Sequence, residues 1–395
     1  MSLKPSLVMI TSRFPYPLEK GDKLRAFHML QGLSTRFDIT LISLSDEEIA
    51  ADSLEKIRPY VVGLHPFTLK KHTLIWRLML NVFFAKPFQV AYFTDPSIKK
   101  KVKKILSDVA PNHILCQMIR PAEYVKHYHR CPKTLDYMDA LSMGMERRHQ
   151  RARFPWSIVY RMEKNRLREY ELRIFNYFEH HTMISLQDTY YIAHPDRKNI
   201  KVIPNGVAHR FYTEIPERSK TSDLVFVGNL SYPPNINAVR FLHDEILTQA
   251  PQLSLLVGGA NPTNELIQLQ KGKRQLTILG WQEDIRSVYQ QGRIFIAPMF
   301  MGSGLQNKLL EAMALGIPCI TTSLANDSLR ATHQKEILVG NTAEELLEHI
   351  SFLLEHPEEA HAIGQNGKAF VRKNYDWEES IAALTRLIDP QPDTI

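Results

Sequence analysis

The chain of 395 residues has only three cysteines, Cys116, Cys131 and Cys319, and none of them form a C-x-x-C pair. Such an odd, widely spaced set gives neither a disulfide framework nor a cysteine-rich zinc site. Its 16 histidines include no H-E-x-x-H, and the close pairs His127/His129 and His180/His181 have no partner ligands beside them. No metal is therefore expected. Long apolar runs are also missing. The most apolar stretch, Leu74 to Ala85, is too short to span a bilayer and is interrupted by Arg77. Near the start, Leu7-Val8-Met9-Ile10 is shorter than a signal-peptide core and reads as a first strand. These absences predict a cytoplasmic protein. No short-period repeat or low-complexity tract is found, and no G-x-G-x-x-G follows the first strand of either half. That last absence argues against a nicotinamide-dependent oxidoreductase.

What is present is ordinary for a soluble protein with sizeable cores: 44% hydrophobic and 23% charged residues. The length exceeds the roughly 100–200 residues of one domain and predicts two. Apolar runs alternate with helical patterns throughout. Strands are expected at 7–11, 38–44, 113–117, 134–137 and 182–185, and again at 224–228, 254–258, 276–280, 294–298 and 319–322. Several are continuous Val/Ile/Leu runs, as parallel strands covered on both faces require. The expected class is α/β, with two doubly wound, Rossmann-like domains. The turn Pro204-Asn205-Gly206 and the polar stretch after it mark the boundary. The domains are thus placed at 1–205 and 206–375, with a helix in 376–395 expected to pack back toward the first.

The net charge of +7 is unevenly spread. Residues 1–200 carry 32 Lys and Arg against 20 Asp and Glu, whereas residues 201–395 carry 17 against 22. A first half with a surplus of 12 positive charges could meet anionic lipid, nucleic acid or a phosphorylated acceptor, or simply be a solvated face. The aromatic-interleaved basic signatures of common nucleic-acid modules are absent, so no nucleic-acid partner is expected. Leu74–Ala85, with Trp76, Phe83 and Phe84, combines with the lysines of Lys99–Lys104 as a possible contact with an anionic membrane. A core helix with a solvated basic end explains the same residues.

The most informative segment runs from Met301 to Pro318 and follows the expected strand at 294–298. Ser303 fits an N-cap, and Gln306 three residues on would complete a capping box. Gly316 and Pro318 mark the helix end. A strand, a Gly-rich turn and a helix N-terminus together suit a diphosphate, because unpaired N–H groups and the helix dipole both favour negative charge. Lys308 and Glu311 are neighbours on that helix; a lysine can neutralise phosphate and a carboxylate can accept two hydrogen bonds from a ribose diol. An exposed ion pair on an ordinary capped helix would look the same.

The pattern Gly302-x-Gly304-x-x-x-Lys308-x-x-Glu311-Ala312-Met313-Ala314-x-Gly316-x-Pro318 resembles the donor motif of family 4 glycosyltransferases, retaining enzymes of GT-B fold. Phe226-Val227-Gly228-Asn229-Leu230, Pro234 to Leu242, Leu256 to Gly259 and Gly280 to Arg286 resemble the same family's second domain. Ser12 to Pro17, Lys20 to Phe27 and Asp136 to Ser142 resemble a branch tied to bacterial exopolysaccharide (PEP-CTERM-type) systems. The likeness covers nearly the whole chain. It implies two Rossmann-like domains facing across a cleft, a UDP- or GDP-linked sugar as donor, a saccharide or lipid-linked acceptor, and no cofactor. By the resemblance Glu311 binds the donor ribose, the backbone at Gly304 and Leu305 meets the diphosphate or sugar, and Gly21 lies in the loop facing the donor. Gly228, Asn229, Ser303 and Asn307 complete the expected donor-binding set. The sequence departs from the pattern at Ser303, where many members carry a glutamate that touches the transferred sugar. The family's usual basic pair is also missing; Asn235 and Arg240 stand in that region, and Lys308 or Arg25 is expected to supply the charge. Asp139, at a strand end on the acceptor side, is either a catalytic group for the acceptor hydroxyl or a helix cap; Asp136 is expected to be structural. A sugar-nucleotide epimerase and a non-enzymatic nucleotide binder are the rival readings. No D-x-D stands at a plausible strand end, which argues against a metal-dependent single-domain transferase.

Overall fold

A computed structural model describes residues 4–69, 86–213, 219–271, 275–301 and 304–389. The stretch Leu74–Ala85 and the position Ser303 lie outside the described residues. The chain divides into two compact units, one of Met1–Pro204 with Glu378–Ile395, the other of Asn205–Trp377.

The first unit is built on a seven-stranded sheet of order β3-β2-β1-β4-β5-β6-β7. Its strands are β1 (Ser6–Thr11), β2 (Asp38–Ser45), β3 (Gly63–Thr68), β4 (His113–Gln117), β5 (Lys133–Asp136), β6 (His180–Met183) and β7 (Lys201–Val202). Among the described residues every pairing in this sheet is parallel, from Leu7 against Ile39 on one side of β1 to Leu7 against His113 on the other. Parallel strands need crossover connections, and the helices that make them cover both faces. One face buries Leu7, Met9, Leu30, Leu33 and Leu41; the other buries Val8, Ile10, Ile42, Ile114 and Leu135. The helix Trp377–Ile388 brings Leu384 and Ile388 into the first of these cores. Its Ser380 hydroxyl donates to the Pro204 carbonyl at 2.9 Å.

The second unit has a six-stranded parallel sheet of order β10-β9-β8-β11-β12-β13. Its strands are β8 (Ser222–Val227), β9 (Leu255–Gly258), β10 (Leu276–Leu279), β11 (Gly292–Ala297), β12 (Cys319–Thr321) and β13 (Leu338–Val339). A single apolar core holds Val225, Phe226, Val257, Phe295, Ile320 and the inner faces of the surrounding helices. In both sheets the strand order reverses beside the first strand of the unit, which places a switch point there.

The ten strands expected from sequence are all present, with ends within two residues of the expected ones. Three were missed: β3, β7 and β13, all edge strands. Ser303, the first residue of the expected capping box, is not among the described residues. The helix starts only at Asn307, with Gln306 at the cap position and no side-chain cap bond. The reason is Gly304, whose φ of +75° takes the chain out of helical space just before that point. The Gln306 amide turns back to the Gly304 carbonyl instead, at 3.3 Å.

Candidate active site

In the second unit the candidate site gathers where β8 and β11 end and the helix Asn307–Ala314 begins. That helix has an apolar face of Leu309, Leu310, Ala312 and Met313 buried in the core, so Lys308 and Glu311 sit at the edge of the buried stripe. Neither exposes its charged group freely, and they do not pair with each other. Lys308 Nζ donates to Asn235 Oδ1. It also lies 3.8 Å from the Met299 sulfur and 4.9 Å from the centre of the Phe226 ring. Burial among these groups pulls the ammonium down to about 7. Glu311 Oε2 accepts a hydrogen bond from the buried Tyr289 hydroxyl at 2.8 Å. Burial raises its carboxyl, and the charges of Arg210 and Lys308 oppose that shift. The exposed-ion-pair alternative is therefore not what the structure contains.

Gly228 directly follows β8, beside Asn235 and Lys308. A Cβ there would stand 2.7 Å from Asn235 Nδ2 and 3.3 Å from Lys308 Nζ, so any larger residue would press on the amide that receives the lysine. Asn229 follows; its side chain accepts from the Ser231 amide at 3.0 Å, and its carbonyl accepts from Asn235 Nδ2 at 2.8 Å. Asn307 Oδ1 accepts from Asn205 Nδ2 at 3.3 Å. Leu305 is half-buried against the core, with its backbone at the mouth of the turn. Gly228, Asn229, Gly304, Leu305, Asn307, Lys308 and Glu311 thus fall in one region of the second unit. Sequence reasoning overlooked Tyr289, which fixes Glu311, and Arg210, whose charge reaches it. Neither lies in a motif, and Tyr289 closes a four-residue helix, Arg286–Tyr289, whose sequence gives no sign of a partner on another helix.

The first unit holds a second polar group, at the carboxyl ends of its strands. Gly21, an exposed residue, opens the helix Gly21–Leu33 just after β1. Arg25, expected to meet the donor, is engaged inside the first unit instead. It is fully buried and grips Asp136 bidentately, Nε to Oδ2 at 2.7 Å and Nη2 to Oδ1 at 3.0 Å. Thr182 donates to the same carboxylate at 2.8 Å. A guanidinium enclosed with its carboxylate is a structural tie between β5 and the first helix. Asp139 follows a Met138 held at a φ of +63°. It does not cap the next helix, Leu141–Arg151, whose cap residue is Ala140. Its Oδ1 is buried with no hydrogen-bond partner among the described residues. Burial, then the charges of Asp188 and Asp136, lift its carboxyl to about 7. Nearby at the same sheet edge, Arg13 Nη1 meets Asp22 at 2.6 Å, Tyr92 donates to Asp46 at 3.0 Å, and Arg120 Nη2 donates to Gln89 at 2.7 Å. Of these only Arg13 and Asp22 stand in segments singled out from sequence. Among the described residues no group of three or more His, Cys, Asp and Glu is placed to hold a metal ion. No described helix is long and apolar enough to cross a membrane.

Two parallel, doubly wound sheets, the second carrying a lysine and a carboxylate on a helix that starts at a switch point, make an α/β protein of GT-B fold. Residues 221–356 match the family model described as "Glycosyl transferases group 1"; this stretch is a group 1 domain, and the chain is a glycosyltransferase. Over 96% of its length it is 22% identical to 98% of an uncharacterized 44.6 kDa protein in the cps region of Klebsiella pneumoniae. Among solved structures, a sucrose-phosphate synthase from Thermosynechococcus elongatus superposes with a TM-score of 0.73, at 15% identity, over 97% of this chain and 98% of that one. HepE of Anabaena, in complex with UDP and glucose, gives 0.72 at 14% identity, over 98% and 100%.

Proposed function

We propose that the chain is a retaining glycosyltransferase. It takes a hexosyl group from a UDP- or GDP-linked donor and passes it to a saccharide or lipid-linked acceptor in bacterial surface-polysaccharide synthesis. The observation that carries this reading is the placing of Lys308 and Glu311 one turn apart on one helix, each desolvated and each held by a separate partner. Glu311, oriented by Tyr289, is set to accept both hydroxyls of a ribose. Lys308 and the N–H groups of Asn307 and Lys308 at the start of the helix Asn307–Ala314 meet the diphosphate. As the bond from the sugar C1 to the diphosphate oxygen breaks, the negative charge that develops there is met by these fixed donors. In the first unit, Asp139 is assigned to the acceptor hydroxyl. A carboxyl near 7 is matched to taking a proton at neutral pH. The UDP and glucose bound to HepE support a nucleotide-sugar donor, and the cps-region relative supports a polysaccharide acceptor. A lipid-linked acceptor would bring the enzyme to the inner face of the membrane as a peripheral protein.

A panel of nucleotides and nucleotide sugars, read by thermal stabilisation and then by transfer to saccharide acceptors, tests this reading. One nucleoside diphosphate should stabilise the protein. Glu311→Gln should weaken that binding by roughly 1.5–3 kcal/mol, the scale of a hydrogen bond to a charged group. Unchanged affinity in the Gln variant would remove the assignment.

A further inference from the structure

The helices Leu141–Arg151 and Trp156–Phe175 form a hairpin packed mainly on itself. His149 Nδ1 meets the Ser157 hydroxyl at 3.0 Å near its tip, and Lys164 pairs with Glu146 at 2.6 Å lower down. Core contact begins only at the base. The buried residues of the second helix are Glu163, Leu167, Tyr170, Glu171, Ile174 and Phe175, so nearly two turns ahead of Glu163 lie outside the core.

That free tip is both apolar and basic. Phe154, Trp156 and Ile158 are 82%, 62% and 60% exposed. Arg148, Arg153 and Arg161 are exposed around them. Residues 147–162 contain five arginines and no Asp or Glu. A large apolar group left in water needs a partner, and one ringed by cations fits the boundary between acyl chains and anionic headgroups. A nucleic acid would use the arginines but gain nothing from Ile158 beside them. The lysine-rich helix Pro96–Val109 differs, because its apolar residues Ile98, Val102 and Leu106 are spent on the core and its exposed face carries Lys100, Lys101, Lys103 and Lys104 with no large exposed apolar side chain.

We propose that the hairpin tip inserts into anionic bilayers, with Phe154, Trp156 and Ile158 at the headgroup–acyl boundary and Arg148, Arg153 and Arg161 on lipid phosphates. This deepens the reading of a lipid-linked acceptor and rests on it for its purpose. The full chain is sedimented with vesicles of phosphatidylcholine alone and of phosphatidylcholine with phosphatidylglycerol. Binding is expected to the anionic vesicles, and bromine-labelled acyl chains should quench tryptophan emission, an effect lost in Trp156→Phe. The triple change Phe154→Ser, Trp156→Ser, Ile158→Ser should lower the partition coefficient about tenfold or more. Replacing Lys99, Lys100, Lys101, Lys103 and Lys104 by Gln should lower it less. The proposal is overturned if the triple variant binds like the parent, if neutral and anionic vesicles bind alike, or if Trp156 is not quenched. Nucleotide-induced stabilisation, measured on the same samples, separates the two readings. Its loss from the parent protein alongside intact vesicle binding would reject the transferase site and leave the tip standing. Its retention without vesicle binding would do the reverse.

Discussion

Lys308 shows how far one residue's surroundings can set its chemistry. An ammonium among Phe226, Met299 and Asn235 sits near 7, so it is largely neutral at pH 8 in the unliganded enzyme. A diphosphate beside it favours the charged form and raises that value. The bound state then holds more protons than the free state, and affinity must fall as pH rises above 7. Calorimetry in buffers of different ionisation enthalpy should record uptake of up to about one proton at pH 8, and Lys308→Met should abolish the uptake. Arg25 makes the complementary point. The sequence shows a basic residue in a family-like segment, but its partner Asp136 is 111 positions away, so its burial follows from tertiary packing that no local pattern reveals. Asp136 itself was read as structural, and its ion pair with Arg25 is the reason.

At the scale of elements, the joint between the two helices of the hairpin depends on Glu171. This carboxyl is almost fully buried, and its Oε1 accepts the Ser142 amide at 3.0 Å while Oε2 has no partner among the described residues. Burial lifts it to about 7. The folded protein therefore holds a proton that the unfolded chain releases near its ordinary value. This stabilises the fold below the unfolded value and is lost as pH rises through the folded one. Glu171→Gln should accordingly raise the melting temperature at pH 8, by a gain on the order of 2–3 kcal/mol, and change little at pH 4. The strands were legible for a simple reason: β1, β4 and β11 are apolar on both faces and have no competing helical period. β3 was not, because Gly63, His65 and Pro66 break its pattern on a half-exposed edge, and β7 and β13 are two residues each. The donor segment was visible as a motif, whereas the late start of its helix was hidden in one backbone angle at Gly304.

For the whole molecule, the two units should respond differently to acid. The first holds His113 and His181, each buried, each brought down to about 4 chiefly by desolvation. Both stay neutral when folded, so they contribute stability above the unfolded value near 6.5, and this is lost as pH falls toward 4. Glu171 and Asp139, lifted to about 7, pull the other way over the same range, so the test is a difference: between pH 7 and 5 calorimetry should show His113→Gln gaining stability relative to the parent protein, and an unchanged pH dependence in the variant would contradict the assignment. The chain path adds one more consequence. Residues 205–377 are continuous, but the first unit lacks part of its core until the helix Trp377–Ile388 is present, with Ile381 pressed close to Gly32. During synthesis, then, the unit begun first is completed last. Its nascent sheet waits with Leu7, Met9 and Leu33 incompletely covered while the later unit is translated, so that interval is when a chaperone has most to protect.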